Sequence, residues 1–381
     1  MIYLDYNATT PIATAVRNAM QPFLDTHFGN PSSGHALGRL TAQAIETARS
    51  ELASLLNCQA NEIVFTGGGT ESNNMAIQGA MFRHAPLPNM AVGGGHLVIS
   101  AIEHPATSQV ATFLESLGNE VTRVGCNNQG VIDPADIEAA LRENTVLVSV
   151  MHANNEVGAL QPIAEIAKIC RERGVLCHTD AAQSIGKVPV DIEELGVDLL
   201  TLAGHKIYAP KGIGALYVRE GVELEPVLHG AGHEQGRRPG TENVPYIVGL
   251  GKAATLLTED LETAAERMRN LRDFLETRLV REIHPSPTVN AGEAERLPNT
   301  LSINFPRVNG AELLAKCEDL CASTGAACHS GISSLSATLR AMQLDEQTAQ
   351  GTVRLSVGRG TSEDDVQRAA SMLIEAWQSL Q

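Results

Sequence analysis

Five side chains and one glycine turn in this sequence could do chemistry together, and several of them sit at the ends of short apolar runs. Lys206 follows the run DLLTLAGH, where a lysine is either a surface residue or an amine held out of water to react. Asp180 ends the run VLCHTD, and a carboxylate there is costly unless a cation faces it or it caps the AAQS segment that follows. The GGGT turn at 67–70 stands between an apolar run and a helical pattern, where backbone N–H groups and the helix dipole favour an anion; glycine clusters also make plain turns. His104 of SAIEHPA is a candidate proton carrier or an ordinary strand-end residue. Arg354 of VRLSVGR could grip a carboxylate in a two-pronged pair or make a surface salt bridge. Cys328 of STGAACHSG lies in a stretch of small residues that reads as a loosely packed loop, which suits a reactive thiol, although a cysteine is more often one more buried apolar residue.

Positioning such groups needs a scaffold, and the chain is long enough for one. Its 381 residues, 43% hydrophobic and 19% charged, suffice for one large core and a smaller one. Apolar residues recur at helical spacing from 38 to 57, and NEIVFTGGGTESNNMAIQGAM then reads strand, glycine turn, helix. Further apolar runs at 97–100, 121–124, 146–150, 175–178, 198–202 and 214–218 alternate with helical patterns such as PIAEIAKICRERG, where Pro162 suits a first turn and Gly174 a stop. Strands buried on both faces between helices predict a mostly parallel sheet in a three-layer α/β/α domain. We place that large domain at 14–254, followed by a charged helix at about 257–281 and an α+β region. The smaller domain is expected to comprise 1–13 and 255–381.

Charge and cysteine content exclude several classes. A net charge of −16 repels nucleic acid and anionic lipid alike. MIYLDYNATT lacks the basic and apolar regions of a signal peptide, and no apolar run approaches the length of a membrane span, so a soluble, cytoplasmic protein is expected. Seven cysteines form no CxxC pair, which fits a reducing compartment without disulfides or a structural metal. Six of them are read as buried and inert, Cys328 being the exception.

From DYNATTP at 5–11 through TDAAQSIGK at 179–187 and AGHKIYAPKGIGALYV at 203–218 to VRLSVGR at 353–359, the chain resembles the NifS/IscS-like cysteine desulfurases and selenocysteine lyases. These are fold-type I, class V enzymes that use pyridoxal phosphate (PLP). The resemblance implies that Lys206 holds PLP as a Schiff base, in preference to Lys187 or Lys211, and that Asp180 faces its ring nitrogen. Gln183 would bond the ring oxygen, and His104 would stack on the ring and relay protons. Gly69, Thr70 and His205 would hold the phosphate, with Thr241 of RPGTEN reaching in from a second subunit of a homodimer. Asn155 of MHANNEVG and Arg354 would bind the substrate carboxylate, with Asn7 nearby. Cys328 would take the sulfur as a persulfide, turning L-cysteine into L-alanine, before passing it to an acceptor protein.

Two departures stand out. Many desulfurases have a serine where this chain has Ala203, so one phosphate contact is missing. His329 after Cys328 gives GAACHS, which with RPGTEN looks more like the selenocysteine lyase branch, although the segment that animal lyases insert before the SAIEH region is absent. His329 either lowers the thiol pKa when protonated or simply faces solvent. Selenium release from L-selenocysteine is therefore an alternative to desulfuration. An aminotransferase or β-lyase acting on another cysteine derivative, and a silent scaffold for sulfur acceptors, are further readings.

Overall fold

A computed structural model describes residues 1–84, 94–324, 326–329 and 332–381, with the side chains of 326–329 and 332–334 left out. Its centre is a seven-stranded sheet. From one edge the strands run Ile63–Thr66, Gly214–Val218, Leu199–Ala203, Leu176–Asp180, Thr145–Ser149, His96–Ser100 and Glu120–Val124. All the pairings are parallel except those of Gly214–Val218, which runs against both neighbours. Every apolar run expected to be a strand is one; the inner strands are buried on both faces and leave an uninterrupted apolar signature, while Glu120–Val124 is a partly exposed edge strand. Helices cover both faces, with one apolar cluster around Leu200 and Leu202 and another around Leu97, Leu147 and Leu216. The strand ends at Thr66, Ser100, Ser149, Asp180 and Ala203 share one edge, where loops of an open α/β sheet gather.

A second core lies around a four-stranded antiparallel sheet, in the order Ser323–Thr324, Thr352–Ser356, Thr300–Asn304 and Thr288–Val289. Helix Glu363–Ser379 packs on it through Val366, Leu373 and Trp377, and a capping box of Ser362 and Asp365 closes the start of that helix. Ile2 and Leu4 join this core, and Ile2–Tyr3 pairs in parallel with Leu320–Cys321. Ala326–His329 and Ile332–Leu335 form a two-stranded antiparallel hairpin, so a segment read as a loop has extended, paired backbone.

The helix expected near 257 begins instead at Val244 and runs to Glu282. Its first half is apolar and lies against helices Thr14–Asp25 and Ala36–Leu56, so closely that a Cβ on Gly251 would fall 2.6 Å from the Cα of Ala48. Its second half is charged outward and places Leu271, Leu275 and Leu279 in the second core. Asp260, at φ −146° and ψ 23°, breaks the helical geometry between the halves and pairs with Arg359 at 2.6 Å. A change of partner at that residue alters the apolar pattern, and two patterns in one helix look like two segments. Position 254 consequently falls inside an element, not in a linker. No described helix is long and apolar enough to cross a membrane.

Candidate active site

The shared strand edge opens into a cavity of about 790 Å³, with walls from both cores. Asn7, Gly69, Thr70, His104, Asn155, Asp180, Gln183, His205, Lys206 and Arg354 all line it. Sequence reasoning named each of these. Thr241 does not line it and is exposed on the surface of this chain. The Cys328 sulfur and the His329 ring lie outside the described residues; their backbone is in the hairpin, where Cys328 stands opposite Ser333.

Anion-binding geometry occupies one end of the cavity. Gly68, at φ +145°, turns the chain from Ile63–Thr66 into helix Gly69–His84, a conformation that favours glycine. Thr66 and Ser72 hydroxyls lie 2.7 Å apart and Glu71 accepts the Gly67 N–H at 2.8 Å, which fixes the turn and leaves the first N–H groups of the helix facing the cavity. A Cβ built on Gly69 would come 3.1 Å from that of Ala203, so this corner is tightly filled. His205 lies beside it, its ring nitrogen 3.2 Å from the Thr9 hydroxyl. Burial and the neighbouring Lys206 push its pKa down to about 4, so it is a neutral hydrogen-bonding group at pH 7.

Asp180 forms the floor, buried at the end of its strand. One carboxylate oxygen accepts the Ala182 N–H at 2.9 Å and the other the Asn73 amide at 2.7 Å. The AAQS segment is a turn and not a helix, which corrects the capping reading of Asp180: one oxygen closes that turn, while the second faces a helix that the sequence gave no reason to connect with it. Both bonds come from neutral donors, and the carboxylate borders the cavity, ready for a cation held there.

Lys206 follows Leu199–Ala203 in a single tight turn, Gly204–Lys206. A side chain at Gly204 would meet the Ile213 carbonyl at 2.9 Å, so glycine lets the turn tuck under the neighbouring strand. The Lys206 amine donates to the carbonyls of Asn7 at 2.5 Å and Ala8 at 2.9 Å. Burial, then the positive charge of Arg354, lowers its pKa to about 8 against the pull of Asp180 and Asp5. An amine so placed is partly unprotonated near neutrality, as a nucleophile must be.

His104 caps helix Pro105–Ser116, accepting the Ala106 N–H at 3.1 Å; although the residue is exposed to solvent, desolvation by the surrounding cavity wall lowers its pKa. Glu103 beside it was not foreseen. It accepts hydrogen bonds from Ser100 and, at 2.8 Å, from the Met151 N–H, its second oxygen is buried without a partner, and burial pushes its pKa up to about 8. The Glu103 carboxyl thereby ties the His104 segment to the chain leading into Asn155.

Arg354 closes the far end. Its guanidinium donates to the Asn155 carbonyl at 2.9 Å and to Asp5 at 2.7 Å, while its Nε is buried without a partner. The salt-bridge reading of Arg354 is therefore right about the bond but wrong about the place, which is a cavity wall. Asn7 is fixed by its amide bonds to Thr300 at 2.8 Å and Asn155 at 3.2 Å, and by Asn299, which donates to its side-chain oxygen at 3.0 Å. Asn154 was also missed. Fully buried, it donates to Ile102 and Thr338 and accepts from the N–H groups of Glu156 and Val157, and only its doubling with Asn155 hinted at a structured turn.

Of the other cysteines, Cys170, Cys177 and Cys317 are buried, but Cys58, Cys126 and Cys321 are half-exposed, which corrects the expectation that all six are buried. They sit at the margins of elements, where apolar neighbours in sequence do not ensure enclosure. Burial nonetheless pushes the Cys58 thiol up to about 12, leaving it unreactive at neutral pH.

The aminotransferase class-V family model matches residues 2–369. The chain is 42% identical over 377 residues to "Cysteine desulfurase IscS" of Dictyoglomus turgidum, covering 98% of this chain and 93% of that protein. It is 41% identical over 381 residues to "Cysteine desulfurase IscS" of Methanosarcina thermophila, covering 100% and 92%. Among solved structures, a "NIFS-LIKE PROTEIN" matches with a TM-score of 0.91 at 33% identity, covering all of both chains. "SspA in complex with cysteine" matches with a TM-score of 0.84 at 37% identity, covering 95% of this chain and all of that one.

Proposed function

Because the chain belongs to the aminotransferase class-V family, we infer what its cavity does from that premise. It is a PLP-dependent cysteine desulfurase, which converts L-cysteine to L-alanine. The residues present fit the cofactor. Asp180, a buried carboxylate bonded only to neutral donors, suits a protonated ring nitrogen, and the Gly67–Thr70 turn suits a phosphate. PLP, when bound, supplies an electron sink for the bonds at the substrate α carbon. Within the class this chemistry supports many reactions, so the residues around it decide the outcome.

On this reading Lys206 is the amine that holds the cofactor, Gln183 donates to its ring oxygen, and Gly69, Thr70 and His205 hold its phosphate. His104 carries a proton at its ring nitrogen. Arg354 binds the substrate carboxylate in a two-pronged pair, with Asn155 and Asn7 shaping that end of the cavity. The Cys328 thiolate attacks the substrate sulfur: the carbon–sulfur bond breaks, a sulfur–sulfur bond forms, the electron pair stays with the carbon and a proton completes alanine. The smaller unit, residues 1–13 and 255–381, brings Arg354 and Cys328 to the larger one. The exposure of Thr241 and its absence from the lining of its own cavity support its use by a second copy of this chain in a homodimer. The acceptor of the persulfide sulfur is a further protein, and the reaction belongs in the cytoplasm.

The observation that carries this reading is a half-buried lysine amine held by two backbone carbonyls and a buried carboxylate bonded to neutral donors, both facing one cavity. Alanine formation from L-cysteine and from L-selenocysteine, measured side by side for the wild type and Cys328→Ala, tests it. Loss of alanine from cysteine in the variant supports the persulfide route; an unchanged rate of sulfur delivery refutes it. Alanine from L-selenocysteine alone would replace desulfuration with selenium release, and a keto acid in place of alanine would mean another reaction of the class. Light scattering at the mass of a single chain would remove Thr241 from the site.

A further inference from the structure

A second lysine lies beneath the cavity, and none of the roles above uses it. Lys187 is 5% exposed and donates to two oxygens of one residue, the Gln183 carbonyl at 2.9 Å and the Gln183 side-chain oxygen at 2.8 Å. The charges that act on it, Lys206 and Arg354, are both positive, and with burial they push its pKa well down. Gly186, at φ +77°, turns the chain into Lys187, and a Cβ there would strike Leu257 at 2.8 Å, so the segment is pressed against the long helix. A lysine placed there at such cost calls for a function.

Its partner supplies one. A carboxamide has two ends of nearly equal shape and opposite hydrogen-bonding sense, so its orientation is set by its neighbours. Gln183 Nε2 meets the Asn7 carbonyl at 2.9 Å, which only accepts, and its oxygen accepts from the Lys187 amine, which also donates to the Gln183 carbonyl. Reversing the amide would set oxygen against oxygen at Asn7 and forfeit the bond that Lys187 donates. Nε2 has two hydrogens, the Asn7 carbonyl takes one, and Gln183 lines the cavity, so the second is available to an acceptor there. The same Asn7 carbonyl also accepts from the Lys206 amine.

We propose that Lys187 is a positioning residue: it locks the Gln183 carboxamide so that the cavity presents an N–H donor to the ring oxygen of the cofactor. The proposal rests on the reading that this oxygen lies at Gln183. A donor there stabilises the oxygen in its anionic form and makes the cofactor's linkage to the enzyme less basic. Lys187 thereby sets the proton affinity of the loaded site without touching the cofactor.

The test is the pH midpoint of the visible absorbance of the PLP-loaded enzyme, a property of the resting site and not of turnover. In Lys187→Met the midpoint should rise by about half a pH unit, the scale of one net hydrogen bond. Gln183→Leu, which removes the amide, should raise it at least as much, and adding Lys187→Met to Gln183→Leu should raise it no further. Asp180, His104, His205, Arg354, Glu71 and Lys211, which with Lys206 are the titratable groups lining the cavity, are unchanged in every variant. A shift in Gln183→Leu but none in Lys187→Met overturns the proposal and leaves the placement of the cofactor intact. A Lys187→Met shift that persists in full without Gln183 means that the lysine acts through its charge, which also overturns it. No shift in either variant refutes the contact between Gln183 and the ring oxygen. Should Lys187→Met fail to fold or retain PLP, Lys187→Gln, which can present either hydrogen-bonding sense, is judged by the same outcomes.

Discussion

The lowered pKa of Lys206 makes a quantitative claim about how the empty protein captures its cofactor. An amine titrating at its ordinary 10.5 is about 0.03% unprotonated at pH 7, whereas one titrating at about 8 is roughly 9% unprotonated, some 300-fold more. Only the unprotonated amine attacks an aldehyde, so uptake of PLP by the apoprotein should rise tenfold per pH unit and level off near pH 8. Burial contributes most to the shift and Arg354 next, so Arg354→Gln should move the midpoint upward while leaving it below 10.5. The assay is stopped-flow absorbance after mixing apoprotein with PLP across pH 6 to 10, with the pH dependence of free PLP reacting with a simple amine as reference. A midpoint at or above 10 in the wild type would refute the claim that the cavity activates this lysine. An unmoved midpoint in Arg354→Gln would refute the assignment of part of that activation to Arg354.

Cys328→Ser should retain cofactor absorbance while alanine formation falls on the order of 10³-fold or more, as when a nucleophile is removed; loss of the absorbance instead would mean that the residue supports the cofactor site. Arg354→Leu removes charged hydrogen bonds worth roughly 1.5–3 kcal/mol each, so the KM for cysteine should rise by about 10- to 100-fold. An unchanged KM would reduce Arg354 to a partner of Asp5. Away from the cavity, Arg49 pairs with Glu234 at 2.8 Å, the carboxylate side chain being only 2% exposed. Arg49→Met should cost about 3–5 kcal/mol in urea unfolding by stranding that carboxylate, and adding Glu234→Gln should recover much of the loss; equal stability of Arg49→Met and wild type would contradict this.

The readability of the sequence followed the physics of each element. Strands buried on both faces, such as Gly214–Val218, declare themselves because nothing polar interrupts them. Asp180 and Lys206, named in advance, sit at or just after the ends of strands, where a polar residue after an apolar run is conspicuous, whereas Arg354 lies inside one. Asn73 sits inside a helix whose spacing carries no sign that one amide reaches Asp180, and Lys187 looks like any lysine after a glycine. Asn154, Glu103 and the Arg49–Glu234 pair were invisible for the same reason: each is defined by a partner distant in sequence, and periodicity reports only neighbours. The Val244–Glu282 helix was half seen, because its apolar face changes partner at Asp260.

The wall of the cavity is also a statement about time. Asn7 donates its backbone N–H to the Ser356 hydroxyl, Asp5 pairs with Arg354, and Ile2–Tyr3 lies beside Leu320–Cys321. Asp5 and Asn7 must therefore wait for partners 349 positions later in the sequence before they find their places. Until then the Lys206 amine lacks both the guanidinium that helps to lower its pKa and the Asn7 carbonyl fixed to receive it. A chain that has completed only its large sheet has the pieces of a cofactor site but no closed site, because the wall that Arg354 and Asp5 form together is still missing.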